Sequence, residues 1–367
     1  MSSALRPSSA LRPSSALSPS SAEGEETAGR GSDFAALCRQ VRQAGMLKRR
    51  PAYYSVKIAA NLGLFALAGV AFVLLGSSWY QLFVAAFLGI VFTQLAFVGH
   101  DAGHRQIAGS RRVNDALGLV HGNLLVGLSY GWWVSKHNRH HANPNHEDHD
   151  PDIASGVIAF TSTHARARRT WPARALARRQ AYLFFPLLLL EGINLHVASV
   201  QALLAGRTNR SRSTPVETLL LGVHLIGYLT VLLVVLSPLK ALVFLLVHQC
   251  VFGLYMGCTF APNHKGMPIL REGDKLDYLR RQVLTSRNIR GGRITDFVLG
   301  GLNYQVEHHL FPSMPRPSLR RAQAIVRAHC GQHGLTYHES SILGSYGQVL
   351  RHLHAVGAPL RTSADPG

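Results

Sequence analysis

The chain has 367 residues, is 47% hydrophobic and carries a formal charge of +19. Its apolar residues gather into long runs, which excludes a simple series of two or three soluble domains. The excess of cations comes without an aromatic-basic groove or a helix-turn-helix pattern, so nucleic acid is excluded as a partner.

In chain order, residues 1–32 open with a hexapeptide repeated at Ser2 to Pro7, Ser8 to Pro13 and, with one change, Ser14 to Pro19. Sequence this rich in Ser and Pro buries no core and is expected to be disordered. In residues 33–57, Phe34, Leu37, Val41 and Met46 recur at helical spacing with Arg39 and Arg42 between them. That pattern predicts a short amphipathic helix lying on a membrane surface.

Four apolar runs follow: Ile58 to Gly76, Leu82 to Gly99, Val216 to Leu236 and Leu239 to Phe260. About 20 helical residues cross a hydrocarbon layer roughly 30 Å thick, so each is long enough to span. The first lies too deep in the chain to be a cleaved signal peptide. The pattern predicts an all-α integral membrane fold with two hairpins, at 58–99 and 216–260. A long loop at 100–215 separates them, a helical domain at 261–355 follows, and 356–367 form a flexible tail. Tyr182 to Leu204 is apolar but interrupted by Pro186, Glu191, Asn194, His196 and Gln201. Polar groups of this kind are costly in lipid, so it is expected to be an interfacial helix.

Around Ser77, Ser78 and Trp79 the first hairpin turn has no Lys or Arg, and the second has only Lys240. Lys48, Arg49, Arg50, Arg111, Arg112, Arg166, Arg280 and Arg281 all lie on the opposite side of the spans. Positive charge collects in the cytoplasm, so both termini, the loop and the last domain are expected there, near anionic headgroups. The four cysteines form no C-x-x-C pair, which points to neither a zinc ribbon nor a disulfide framework.

Three histidine clusters lie in these segments: His100 with His104, His137 with His140 and His141, and His308 with His309. Gln305 precedes His308 and His309 at the spacing by which His137 precedes His140 and His141, and positions i, i+3 and i+4 share a helix face. Seven imidazoles exceed the needs of one tetrahedral ion, so a two-metal site is expected. Spacing alone leaves iron, copper, nickel and zinc open. With His264 just past the fourth run, all eight histidines can meet in one layer at the cytoplasmic membrane face. A metal transporter would instead place ligands near the bilayer midplane.

His100-Asp-Ala-Gly-His104, His137-Asn-Arg-His140-His141 and Gln305-Val-Glu-His308-His309-Leu-Phe-Pro312 resemble the three histidine boxes of membrane-bound fatty acid desaturases. The resemblance runs from about Phe34 to His338. Gln305 opening the third box is similar to the front-end subgroup, which adds a double bond between an existing one and the carboxyl group. The resemblance implies four spanning helices, a cytoplasmic helical cap holding two irons, and a tunnel for the acyl chain. It implies O2 as co-substrate and a fatty acyl substrate linked to CoA or lipid. The ligand role falls on His100, His104, His137, His140, His141, His308 and His309, with His264 as an additional ligand. No His-Pro-Gly-Gly haem motif occurs, so electrons are expected from a separate ferredoxin or cytochrome b5 type carrier and its reductase. A membrane di-iron hydroxylase or ketolase shares such boxes and is the alternative.

Ligating imidazoles usually give their second N–H to an acceptor, for which Asp101, Asp148, Asp150, Asp152 and Glu307 are close in sequence. For Asp150 and Asp152 a loop or cap role near Pro151 is an equal reading. Trp132 and Trp133 fit tunnel lining or interfacial anchoring equally. His224 and His248 lie inside spans and are expected to face neighbouring helices. His146 and His149 are read as solvent-facing, and His329, His333, His338, His352 and His354 as structural or solvated.

Overall fold

The computed structural model describes residues 22–206 and 214–362, so the hexapeptide repeat lies outside the described residues. Along the chain run α1 (Ala22–Gln43), α2 (Pro51–Leu75), α3 (Gln81–Gly103) and α4 (Arg111–Leu119), then a π-helical turn at Val120–Val126 and α5 (Tyr130–Ala142). Next come α6 (Ser162–Arg166), α7 (Trp171–Leu188), α8 (Glu191–Leu204), α9 (Thr214–Val235) and α10 (Pro238–His264). The last third holds α11 (Tyr278–Leu284), α12 (Arg293–Val298), α13 (Gln305–Leu310), α14 (Arg316–Gln332), α15 (Ile342–Val356) and α16 (Pro359–Thr362). Two short strands, β1 (Asn288–Ile289) and β2 (Glu339–Ser340), pair in parallel, which helical periodicity could not announce.

α2, α3, α9 and α10 are the four helices long and apolar enough to cross a membrane among the described residues. The chain is a multi-pass membrane protein. α3 is the most enclosed of the four, while α2 and α9 leave apolar side chains bare, such as Leu74 at 80% and Val234 at 79% exposure. In water such faces would be unfavourable; in lipid they are solvated. The first hairpin is tied at its turn by Gln81, whose Nε2 donates to Phe72 O at 2.6 Å and Gly76 O at 2.8 Å. Lys240 donates to Ser77 O, and Ser237 N to Ser77 Oγ, joining the two hairpin tips. α3 and α10 pack against each other, and both helices run past the apolar stretch into histidine, to Gly103 and His264.

Tyr182 to Leu204 is not one helix. α7 and α8 meet at 84°, with the break at Leu189 and Leu190, so a straight fifth span is absent here. α8 crosses α10 closely because two glycines face each other. A Cβ on Gly253 would meet Gly192 N at 2.4 Å, and one on Gly192 would meet Gln249 O at 2.5 Å. As expected, His224 and His248 bond neighbouring elements, through Leu124 O at 2.8 Å and Tyr228 Oη at 2.7 Å.

Three expectations are corrected. α1 begins at Ala22, inside the segment expected to lack structure. Its apolar face does not lie on a membrane surface: Leu37, Val41 and nearby Met46 are buried against Leu279, Leu310, Leu319 and Val326 of the last third. The amphipathic stripe was legible, but a stripe does not say what covers it. The tail is ordered as far as α16, where Leu360 packs with Ala159, Ala177 and Val356.

Candidate metal centre

Each histidine box is held by its helix ends. α3 delivers His100 in its last turn, and His104 follows as the C-cap. α5 is capped by Ser129, whose Oγ accepts from Trp132 N at 3.2 Å and donates to the buried carboxylate of Glu217 at 2.7 Å. α5 then presents His137, His140 and His141 on one side, all buried. α10 contains Pro262, which cannot bond back to Cys258 O; the Tyr346 hydroxyl of α15 bonds that carbonyl instead. Arg287 Nε and Ser345 Oγ both bond Pro262 O, fixing the turn that carries His264. The short α13 carries Gln305, His308 and His309, all buried.

All eight histidines converge. His100, His104, His137 and His308 form one group, and His140, His264 and His309 a second, each with ring nitrogens within 4.8 Å of one another. His141 lies between the groups, with its Nε2 3.1 Å from His137 Nε2 and its ring stacked on His309 at 4.1 Å.

The outer nitrogens have acceptors. His100 Nδ1 faces Asp101 Oδ1 at 3.2 Å, His140 Nδ1 faces Asp150 at 3.0 Å, His264 Nδ1 faces Thr285 O at 3.0 Å, and His309 Nδ1 faces Gln282 Oε1 at 2.9 Å. Carbonyl and carboxylate oxygens only accept, so these four rings carry the proton on Nδ1 and leave a lone pair on Nε2. The His140 and His264 Nε2 atoms then face each other at 3.3 Å, lone pair to lone pair. His100 Nε2, His104 Nε2, both nitrogens of His308, and His309 Nε2 are buried with no hydrogen-bond partner among the described residues. Burial without a partner is costly for a polar atom, and a shared cation resolves both features. Burial also holds His104, His137, His141, His308 and His309 well below the ordinary histidine pKa, keeping the neutral, metal-binding form.

Of the five proposed acidic partners, Asp101 and Asp150 bond histidine. Asp150 also accepts from Asn145 N and Asp152 N, both at 2.8 Å, so it is a histidine partner and a loop anchor at once. Burial would raise the Asp150 carboxyl, but the hydrogen bond from His140 holds it below the usual carboxylate range. Asp152 is 3.6 Å from His140 Nδ1 and pairs with Lys136 at 2.6 Å. Asp148 is exposed and does not serve. Glu307 turns away from the rings to Tyr337 Oη at 2.6 Å and Asn288 Nδ2 at 2.7 Å; burial pushes its carboxyl up to about 7. Sequence reasoning missed Gln282, Thr285 and Arg316. Their contacts join segments remote in the chain, and no local spacing signals them. His146 is half-buried and His149 exposed.

A narrow pocket runs from this cluster between α3, the π-helical turn and α10. Ala96, Val126, Leu128, Met256 and Phe260 line it, with His100 and Trp133 at the histidine end. The Trp133 ring stacks on His137 at 4.5 Å, so this residue serves the pocket. Its walls are mostly apolar, with Ser129 and Tyr130 as polar exceptions beside His100 and no carboxylate, Lys or Arg among them, which suits a hydrocarbon chain.

Four apolar spans, eight converging histidines and a mostly apolar slot define a class of membrane protein with a candidate metal site. The sequence comparisons then name the family. The family model for fatty acid desaturase matches residues 77–341. The chain belongs to the fatty acid desaturase family. Over 335 residues it is 29% identical to an acyl-lipid (9-3)-desaturase of Physcomitrium patens, covering 88% of this chain and 62% of that protein. Over 318 residues it is 32% identical to a Delta(8)-fatty-acid desaturase of Euglena gracilis, covering 83% of this chain and 74% of the relative. A Delta(6)-fatty-acid desaturase of Caenorhabditis elegans is 26% identical over 342 residues, covering 90% of this chain and 76% of the relative. The chain thus spans less than two thirds of the Physcomitrium patens relative and about three quarters of the other two.

Proposed function

We propose that this chain is an O2-dependent acyl desaturase of the front-end kind, placing a double bond on the carboxyl side of an existing one. The observation that carries the reading is the junction of the histidine cluster with the mostly apolar pocket, through His100 of the four-ring group and Trp133. The family match and the relatives' names favour desaturation over hydroxylation or ketolation.

His100, His104, His137, His140, His141, His264, His308 and His309 would hold two iron ions. Bound there, the irons supply the oxidant that an unactivated methylene demands and no side chain provides. The protein's own part is placement. The pocket walls align the acyl chain, and Trp133 packs beside His100 and His137 where the chain meets the metal layer. Asp101, Asp150, Thr285 and Gln282 keep four rings in one tautomer, so their Nε2 atoms stay directed inward. A ferredoxin or cytochrome b5 type carrier, served by its reductase, supplies electrons. The distribution of Lys and Arg supports a cytoplasmic metal layer and cytoplasmic termini.

The test is a lipid profile. The chain and its His308→Ala variant are expressed in a host fed defined saturated, mono- and di-unsaturated fatty acids, and new double bonds are located by mass spectrometry. A new double bond on the carboxyl side of an existing one, absent in the variant, is the expected result. A hydroxylated product, or turnover in His308→Ala, refutes it.

A further inference from the structure

The histidines divide unevenly. Four ring systems form one group, towards which His141 also directs its Nε2, 3.1 Å from His137 Nε2, whereas His140, His264 and His309 make only three in the other. Beside the three stands Gln305, 3% exposed, with its Nε2 2.8 Å from His264 Nε2.

Neighbours set the direction of this amide. Asn263 Nδ2 donates to Thr259 O at 3.1 Å and to Gln305 Oε1 at 3.1 Å. Turning Asn263 over would press its own carbonyl oxygen against that of Thr259, so the hydrogen-bond network assigns one orientation. Gln305 Oε1 is therefore occupied as an acceptor, and the NH2 group faces the histidines. His264 Nδ1 is committed to Thr285 O, which leaves a lone pair on the Nε2 that Gln305 approaches. An amide NH2 has no lone pair to offer a metal ion, so Gln305 does not complete a fourth ligand. What it brings to that position is a hydrogen-bond donor.

We propose that the ion held by His140, His264 and His309 keeps an open coordination position, and that the Gln305 amide donates a hydrogen bond to a small anion bound there. The inference rests on the metal centre proposed above. An ion with three protein ligands has room for an exogenous one, whereas four imidazoles can close a tetrahedral shell. A donor aimed at that room favours negative charge. Asn263 is then a positioning residue, acting through Gln305.

The experiment titrates azide into purified iron-loaded protein and follows optical absorption, with iron per chain measured on the same samples. Gln305→Met keeps the shape and removes the donor. It should retain wild-type iron content and weaken azide binding by about 10–100-fold, the effect of one hydrogen bond to a charged group. Gln305→His places a ring that can reach the ion; it should retain iron and lose azide binding. Unchanged azide affinity in Gln305→Met overturns the proposal. Loss of about one iron per chain in that variant overturns it too, because Gln305 would then be a ligand. Retained azide binding in Gln305→His also contradicts it. Wild-type protein that holds no iron pair refutes the metal centre itself, an outcome distinct from these.

Discussion

Arg316 and Asp101 meet at 2.6 Å with both side chains buried, and Asp101 in turn faces His100 Nδ1. Arg316 also donates to Phe97 O at 3.0 Å. It stands six residues beyond the Leu310 that closes α13, so the segment after the third box grips the helix end that carries the first. Replacing Arg316 by Met leaves the Asp101 carboxylate buried without its cation, and the His100 ring loses its anchor. Metal affinity should fall by about 10–100-fold in a chelator competition, with Arg316→Lys intermediate. Equal metal retention in wild type and Arg316→Met would show that this relay does not act on His100.

Asp150 makes the same kind of prediction for the second group. Asp150→Asn keeps the size but loses the charge that faces His140, and one amide face can no longer accept. Chelator competition should again show a loss of about 10–100-fold, now confined to one of the two ions. Simultaneous loss of both ions at equal rates would contradict the assignment of His140 to its own group.

Ala96 tests the pocket. Ala96→Phe fills a slot lined mostly by apolar side chains. Product formation should drop by about 100-fold while iron content is unchanged, because a displaced chain cannot reach the reacting geometry. Undiminished turnover on the same substrate would place the acyl chain elsewhere.

Tyr346 tests how α10 is held. Tyr346→Phe leaves the Cys258 carbonyl, freed by Pro262, without its hydroxyl partner. Thermal unfolding in detergent should show a loss of about 1–3 kcal/mol, the cost of an unsatisfied buried group. An unchanged midpoint would mean that the carbonyl finds another partner.

Much of this was legible in the chain. Spans are written in composition, which is why the four apolar runs and the four helices agree to within a few residues at most ends. α2 starts earlier, at Pro51, because proline suits a helix's first turn even where the sequence is not yet apolar. The histidine spacing announced one face per box, and the topology announced one layer. What stayed hidden depends on contacts between remote segments. Gln282 reaches both His309 Nδ1 and His141 O, yet nothing around position 282 marks it. The division into groups of four and three, with His141 between, also crosses the boxes: His308 and His309 are neighbours in sequence and belong to different groups. The amphipathic spacing of α1 marks an apolar face, but its cover is α11, α13 and α14 rather than lipid.

The central claim is that eight histidines from four helices and a helix cap hold two ions. Iron per chain, measured on purified protein beside His308→Ala and His264→Ala, tests it most directly. The account predicts about two irons in wild type and about one in each variant, each variant losing a different ion. One iron in wild type, or two in both variants, would contradict it.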